Sequence, residues 1–189
     1  MTRRPSGADA AVLLVLSREK GEDCVLLTRR SLILREHAGE VALPGGKREA
    51  QDSSLYRTAL RECHEEVGIS ECALIYQAEL ERQYTRQGAR VTPFVTALRT
   101  SVPLRLCTQE IESAMWVPVS LFREDRRSAT HIFRTRSAEL WSPVYHYEGY
   151  KIWGLTSRIL VSFINRYYGG QLQRAHVTAP EVVLGPIFT

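Results

Sequence analysis

Apolar residues along this chain fall in short blocks whose period changes. Ala11-Val12-Leu13-Leu14-Val15-Leu16 and the run from Cys24 to Thr28 are separated by the polar segment Arg18-Glu19-Lys20-Gly21-Glu22-Asp23. Apolar runs of that size bounded by turn residues predict two strands, 11–16 and 24–28, joined as a hairpin. Residues 30–46 keep no regular period and read as a loop leading into a short strand at Val41-Ala42-Leu43. Over 54–67 the period becomes helical. At about 100° per residue, Tyr56, Ala59, Leu60, Cys63 and Val67 share one arc. Strands are predicted again over 72–84, 90–98 and 114–119, with a turn at Arg86-Gln87-Gly88, then a short helix at 120–123 and a hairpin over 143–152 around Glu148-Gly149. Ile159, Leu160, Phe163, Ile164 and Tyr167 predict a closing amphipathic helix over 156–168. Strands on both sides of one helix, with a second helix at the end, predict an α/β fold: an α/β/α sandwich around a mixed sheet.

Length and charge narrow the class. A chain of 189 residues is expected to form one domain spanning 1–189, and no internal repeat or low-complexity linker divides it. The net charge of +4 suits a phosphorylated small-molecule substrate but is too small to argue for nucleic-acid binding. No run of about 18 apolar residues exists, so no membrane partner is expected. The apolar run at 11–16 is too short for a signal peptide. Cys24, Cys63, Cys72 and Cys107 lack CxxC spacing, which fits free thiols in a reducing cytoplasm.

The helix over 54–67 also carries the chemistry. Glu62, Glu65 and Glu66 fall within roughly a 100° arc beside the apolar stripe. Like charges at i,i+3 and i,i+4 repel on an isolated helix. A cation relieves that repulsion, and hard carboxylate oxygens suit Mg²⁺ or Mn²⁺. A solvated acidic face is the common alternative, but here Pro44-Gly45-Gly46 precedes the helix and Gly68 closes it. The compound pattern resembles the Nudix box, G-x5-E-x7-R-E-U-x-E-E-x-G-U with U apolar. Arg61-Glu62-Cys63-His64-Glu65-Glu66-Val67-Gly68-Ile69 matches its second half position by position. The first half departs. Counting from Gly46, the acidic position falls on Asp52, and eight residues rather than seven separate it from Arg61.

A second signature lies upstream. Leu26-Leu27-Thr28-Arg29-Arg30-Ser31, Gly39-Glu40-Val41 and Pro44-Gly45-Gly46-Lys47 resemble the loop that marks the coenzyme A pyrophosphatase branch of the Nudix hydrolases, with Leu43 where Phe is more usual. The longer spacing inside the box is compatible with that branch, and Ile152–Leu160 is similar to its closing helix. The resemblance covers about residues 10–168 and leaves 169–189 outside. It implies a Nudix-like α/β/α sandwich and metal-dependent hydrolysis of coenzyme A, or an acyl derivative, to 3′,5′-ADP and 4′-phosphopantetheine. Glu62 and Glu66 are then the expected metal ligands with Glu65 completing the set, and Arg61 orients a carboxylate. Gly45 and Gly46 permit the turn into the helix. Arg29, Arg30, Arg35, His37 and Lys47 are the expected substrate-binding residues, since a basic loop beside a metal site can hold phosphate oxygens. The general base is left among the box glutamates, Glu110 and Glu112, with Glu110 preferred. ADP-ribose, a dinucleotide or a damaged nucleotide is the alternative substrate class, and a non-catalytic nucleotide-sensing module is the alternative function. A homodimer is left open.

Overall fold

The two apolar runs near the start extend well past their apolar centres into β1 (Asp9–Glu19) and β2 (Glu22–Arg30). Pairing is carried by the backbone, so the ladder runs on through Arg18↔Asp23 and Glu19↔Glu22 to a turn whose Lys20 and Gly21 both have positive φ. This computed structural model describes residues 9–85, 88–134, 139–175 and 178–184. Where length suggests one domain, contacts gather the chain into two units, Met1–Pro118 and Val119–Thr189.

In the first unit the remaining strands are β3 (Val41–Ala42), β4 (Gly45–Lys47), β5 (Leu74–Glu79), β6 (Gln83–Tyr84), β7 (Arg90–Leu98) and β8 (Ile111–Pro118). They form a sheet of order β3-β2-β1-β7-β5, with β4 also on β1, β8 on β2 and β6 on β7. β1 runs parallel to β7 and antiparallel to β2 and β4, so the sheet is mixed. The strand expected over 72–84 is broken. A 3₁₀ turn at Glu71–Ala73 precedes β5, and a bulge between Tyr76 and Ala78 interrupts its pairing with β7. The expected turn at 86–88 falls partly on Arg86 and Gln87, which lie outside the described residues. Helix α1 (Leu55–Val67) begins at Ser54, whose Oγ accepts the Arg57 N–H, and ends at Gly68, where φ is +75° and the N–H donates to the His64 carbonyl. It buries Ala59, Leu60, Cys63 and Val67 against Ala11, Leu13, Val15, Leu26 and Phe94. That packing fixes the helix on the sheet and sets the direction of its carboxylates.

The second unit holds α2 (Val119–Arg123), β9 (Ala129–Arg134), β10 (Glu139–Tyr147), β11 (Tyr150–Ile152), α3 (Gly154–Tyr167) and β12 (Glu181–Leu184). Its sheet order is β11-β10-β9-β12, and α3 packs on β10 and α2. β12 runs parallel to β9. The wholly buried Arg127 side chain grips the Asp125 carboxylate at 2.6 and 2.7 Å. It also donates to Thr130 Oγ1 and to the Arg174 carbonyl, both at 3.2 Å. Arg174 in turn pairs with Glu181, at 2.8 and 2.9 Å, and with Glu139.

Candidate active site

Glu66 leaves α1 on its inner side and is 3% exposed. Its Oε2 accepts the Gly45 N–H at 3.2 Å, so the turn out of β3 meets the helix through a carboxylate. Gly45 crosses β1 so closely that a Cβ there would lie 2.3 Å from the Ala11 carbonyl oxygen. A Cβ on Gly46 would lie 2.4 Å from Glu62 Oε1. One glycine is thus required by the backbone, the other by the Glu62 carboxylate. Burial pushes the Glu66 carboxyl up to about 8, and the charges of Glu62 and Glu110 add to that push against the Gly45 N–H and Arg30. Burial likewise raises Glu62, with the Arg61 guanidinium opposing it.

Arg61 is the hub on the other side. Its Nε and Nη2 donate to the two oxygens of Asp52, each at 3.1 Å, and Nη2 also reaches the Lys47 carbonyl at 3.2 Å. The same guanidinium meets Glu62 Oε1 at 3.1 Å and Glu65 Oε2 at 2.8 Å. Asp52, unassigned from the sequence, is buried and also accepts the Glu49 N–H and the Thr58 hydroxyl, each at 2.9 Å. The Arg61 bonds, then the Glu49 N–H, hold its carboxyl well below the usual carboxylate range. The loop 48–54 therefore turns back on the helix and delivers an acid to Arg61 despite the longer spacing. Nothing in the hydrophobic pattern marks that turn. The only sequence signal is the acid itself, one step off the box.

The basic loop is divided. Pairing of β2 with β8 shifts register between Arg29 and Arg30, with Arg29 opposite Ser113 and Arg30 opposite Ile111. A bulge of this kind re-aims side chains. Arg29 goes to Glu112 at 3.1 Å, whereas Arg30 Nη1 lies 3.9 Å from Glu66 Oε1. Arg30 Nε is buried with no hydrogen-bond partner among the described residues. The Ser31 N–H donates to the Glu110 carbonyl at 2.8 Å, tying the loop to Glu110, whose charge is felt by both Glu62 and Glu66. The structure therefore brings Glu66 and Arg30 together beside Glu62, with Glu110 within electrostatic reach of both glutamates. Arg35 and Lys47 are exposed, and exposed His37 places Nδ1 2.9 Å from Glu40 Oε2.

The hard carboxylate oxygens of Glu62 and Glu66, near enough that the charge of Glu62 helps raise Glu66, fit a divalent cation. Glu65 does not join them. It is turned onto Arg61, with its side chain 55% exposed. Among the described residues no three His, Cys, Asp or Glu side chains close around one point, so the triple glutamate set expected from the sequence is not preformed. The cysteines are unpaired, and burial pushes the Cys63 thiol up to about 12, which leaves it inert.

Residues 7–135 match the family model for the NUDIX domain. The chain is 38% identical over 153 residues to NudL of Yersinia enterocolitica, an uncharacterized Nudix hydrolase, covering 80% of this chain and 77% of that protein. The fold is similar to a MutT/nudix family protein from Enterococcus faecalis, with a TM-score of 0.56 and 18% identity over 89% of this chain and 65% of that one. It is also similar to a C. elegans Ap4A hydrolase, with a TM-score of 0.52 and 20% identity over 59% of this chain and 80% of that one. The α/β architecture, the glycine turn against Glu62 and Glu66, and these likenesses agree: the chain belongs to the Nudix hydrolase family.

Proposed function

We propose that this Nudix hydrolase cleaves the diphosphate of coenzyme A or acyl-coenzyme A, giving 3′,5′-ADP and the corresponding 4′-phosphopantetheine. The observation that carries the reading is Arg30, a guanidinium beside the Glu66 carboxylate with one buried N–H left for an acceptor. A phosphate oxygen satisfies such a donor. The upstream loop that resembles the coenzyme A branch is the segment that supplies this arginine. Glu62 and Glu66 would hold a divalent cation, which would supply charge neutralisation and Lewis acidity at the diphosphate. Arg61, anchored by Asp52, keeps Glu62 in place. Glu110 takes the proton of the attacking water as its oxygen bonds to phosphorus and the bridging P–O bond breaks. Glu112 is occupied by Arg29, which leaves Glu110 the better placed of the two.

A substrate panel tests this. Coenzyme A, dephospho-coenzyme A and ADP-ribose are compared at equal concentration with Mg²⁺ or Mn²⁺, and products are identified by mass spectrometry. Coenzyme A is expected to give the highest kcat/KM. A higher value for ADP-ribose would overturn the coenzyme A reading while leaving the hydrolase intact.

A further inference from the structure

Leu32 and Ile33, 61% and 78% exposed, are the most exposed large apolar side chains among the described residues. They are neighbours, and they occupy the centre of a tight turn closed by the Leu34 N–H on the Ser31 carbonyl at 3.4 Å. Turn centres favour Gly, Asn, Asp, Ser or Pro, so turn chemistry does not call for this pair, and neither does the core. The turn is nonetheless held in place. The Arg30 N–H donates to the Glu40 carbonyl at 2.9 Å and the Gly39 N–H to the Arg30 carbonyl at 3.1 Å. Buried Ser31 is fixed to Glu110, and Leu32 Cδ2 lies so near Gly39 that a Cβ there would be 2.9 Å away. Isolated surface aliphatics need no explanation. Two on a pinned turn, joined through Ser31 to Arg30 and Glu110, do.

We infer that Leu32 and Ile33 are specificity-determining residues that cover the branched aliphatic carbon next to the substrate's phosphate ester. The inference rests on the coenzyme A reading. Only Ser31 lies between Arg30 and Leu32, so their Cα atoms are at most roughly 7 Å apart. The pair therefore lies within a side chain's length of Arg30, in reach of the group esterified to the phosphate that Arg30 would hold. In 4′-phosphopantetheine the carbon two bonds from the ester oxygen is quaternary and bears two methyl groups, an apolar surface of matching chemistry. In ADP-ribose the same region is a hydroxylated sugar ring. The pair thus reads the group attached to the nucleotide, while the carboxylates and Arg30 read the diphosphate common to both.

The test compares coenzyme A with an analogue whose quaternary carbon carries hydrogens in place of the two methyls. Wild type and the Leu32→Ser, Ile33→Ser double variant are assayed on each with Mg²⁺, and both proteins are sedimented. Wild type is expected to favour coenzyme A roughly tenfold or more in kcat/KM, as methyl-sized differences in apolar contacts do. The double variant should lose that preference through KM, with kcat kept. An undiminished preference, or an equal loss on both substrates, overturns the inference. So does a change of oligomeric state with selectivity unmoved, which would make a second copy of the chain the occupant. Wild type inactive on coenzyme A would sink the functional reading and this inference with it. Wild type active but with unaltered selectivity in the variant sinks this inference alone.

Discussion

Replacing Asp52 with Asn keeps the side chain's shape but removes its charge and turns one oxygen into a donor. The wild-type carboxylate accepts from Arg61 Nε and Nη2, the Glu49 N–H and the Thr58 hydroxyl. In the variant at least one of these donors faces an NH₂ group. Breaking one side of a buried pair costs about 3–5 kcal/mol. Arg61 retains Glu62 and Glu65 and is itself partly exposed, so the low end, about 3 kcal/mol, is the better figure. For a chain of this size that lowers Tm by about 6–12 °C. The pH dependence gives a second check. Asp52 is more acidic folded than unfolded, so its contribution is complete above the ordinary aspartate pKa of about 3.9 and is lost as pH falls through the lower folded value. The gap between wild type and variant should therefore be full at pH 7 and shrink at about pH 3. Thermal unfolding at both pH values, with turnover measured alongside, reads all of this. A variant within about 2 °C of wild type at pH 7 would refute the argument.

Other perturbations separate fold from chemistry. Gly46→Ala pushes a methyl into the movable Glu62 carboxylate, so turnover should fall at least about tenfold with Tm little changed, whereas Gly45→Ala meets backbone and should impair folding, as circular dichroism would show. The Glu66 carboxyl is raised, so without added metal wild-type stability should decline as pH rises from about 4.3 to about 8, where it levels off. Glu66→Gln should flatten that slope in pH-dependent melts and lower turnover about a hundredfold. Arg30→Ala should cut kcat/KM for coenzyme A at least about tenfold, mainly through KM, with only partial rescue by Lys, which lacks the bidentate fork. Unchanged steady-state kinetics in both variants would remove Arg30 from the site.

Much of the first unit is legible in the sequence because its elements are periodic. The stripe Ala59, Leu60, Cys63 and Val67 predicts the buried face of α1, and Gly68 predicts its end. The strand expected over 90–98 is β7 to the residue. What escapes is set by partners distant in sequence. β4 is three residues long and owes its existence to pairing with β1. β9 mixes polar and apolar residues and β12 is only four residues long; β9 is held as a strand between β10 and β12, and β12 by its ladder with β9. At the site, the helix geometry places three glutamates side by side, but Arg61 draws Glu65 outward and the sheet draws Glu66 into the interior. The four cations of the loop read alike in sequence. The register shift tells Arg29 from Arg30, and exposure sets Arg35 and Lys47 apart.

The parallel pairing of β12 with β9 bears on how the chain can be shortened. The family match stops at residue 135, immediately after β9. A fragment cut there loses β10 and β12 together and leaves β9 with both edges bare, a template for intermolecular strand addition. Ending instead at Tyr168, where the resemblance in sequence ends, keeps β10 but discards the Arg174 carbonyl, one of the acceptors of the buried Arg127 guanidinium. Such trimmed forms are expected to aggregate even though every candidate site residue is retained. A soluble fragment should run at least through Leu184.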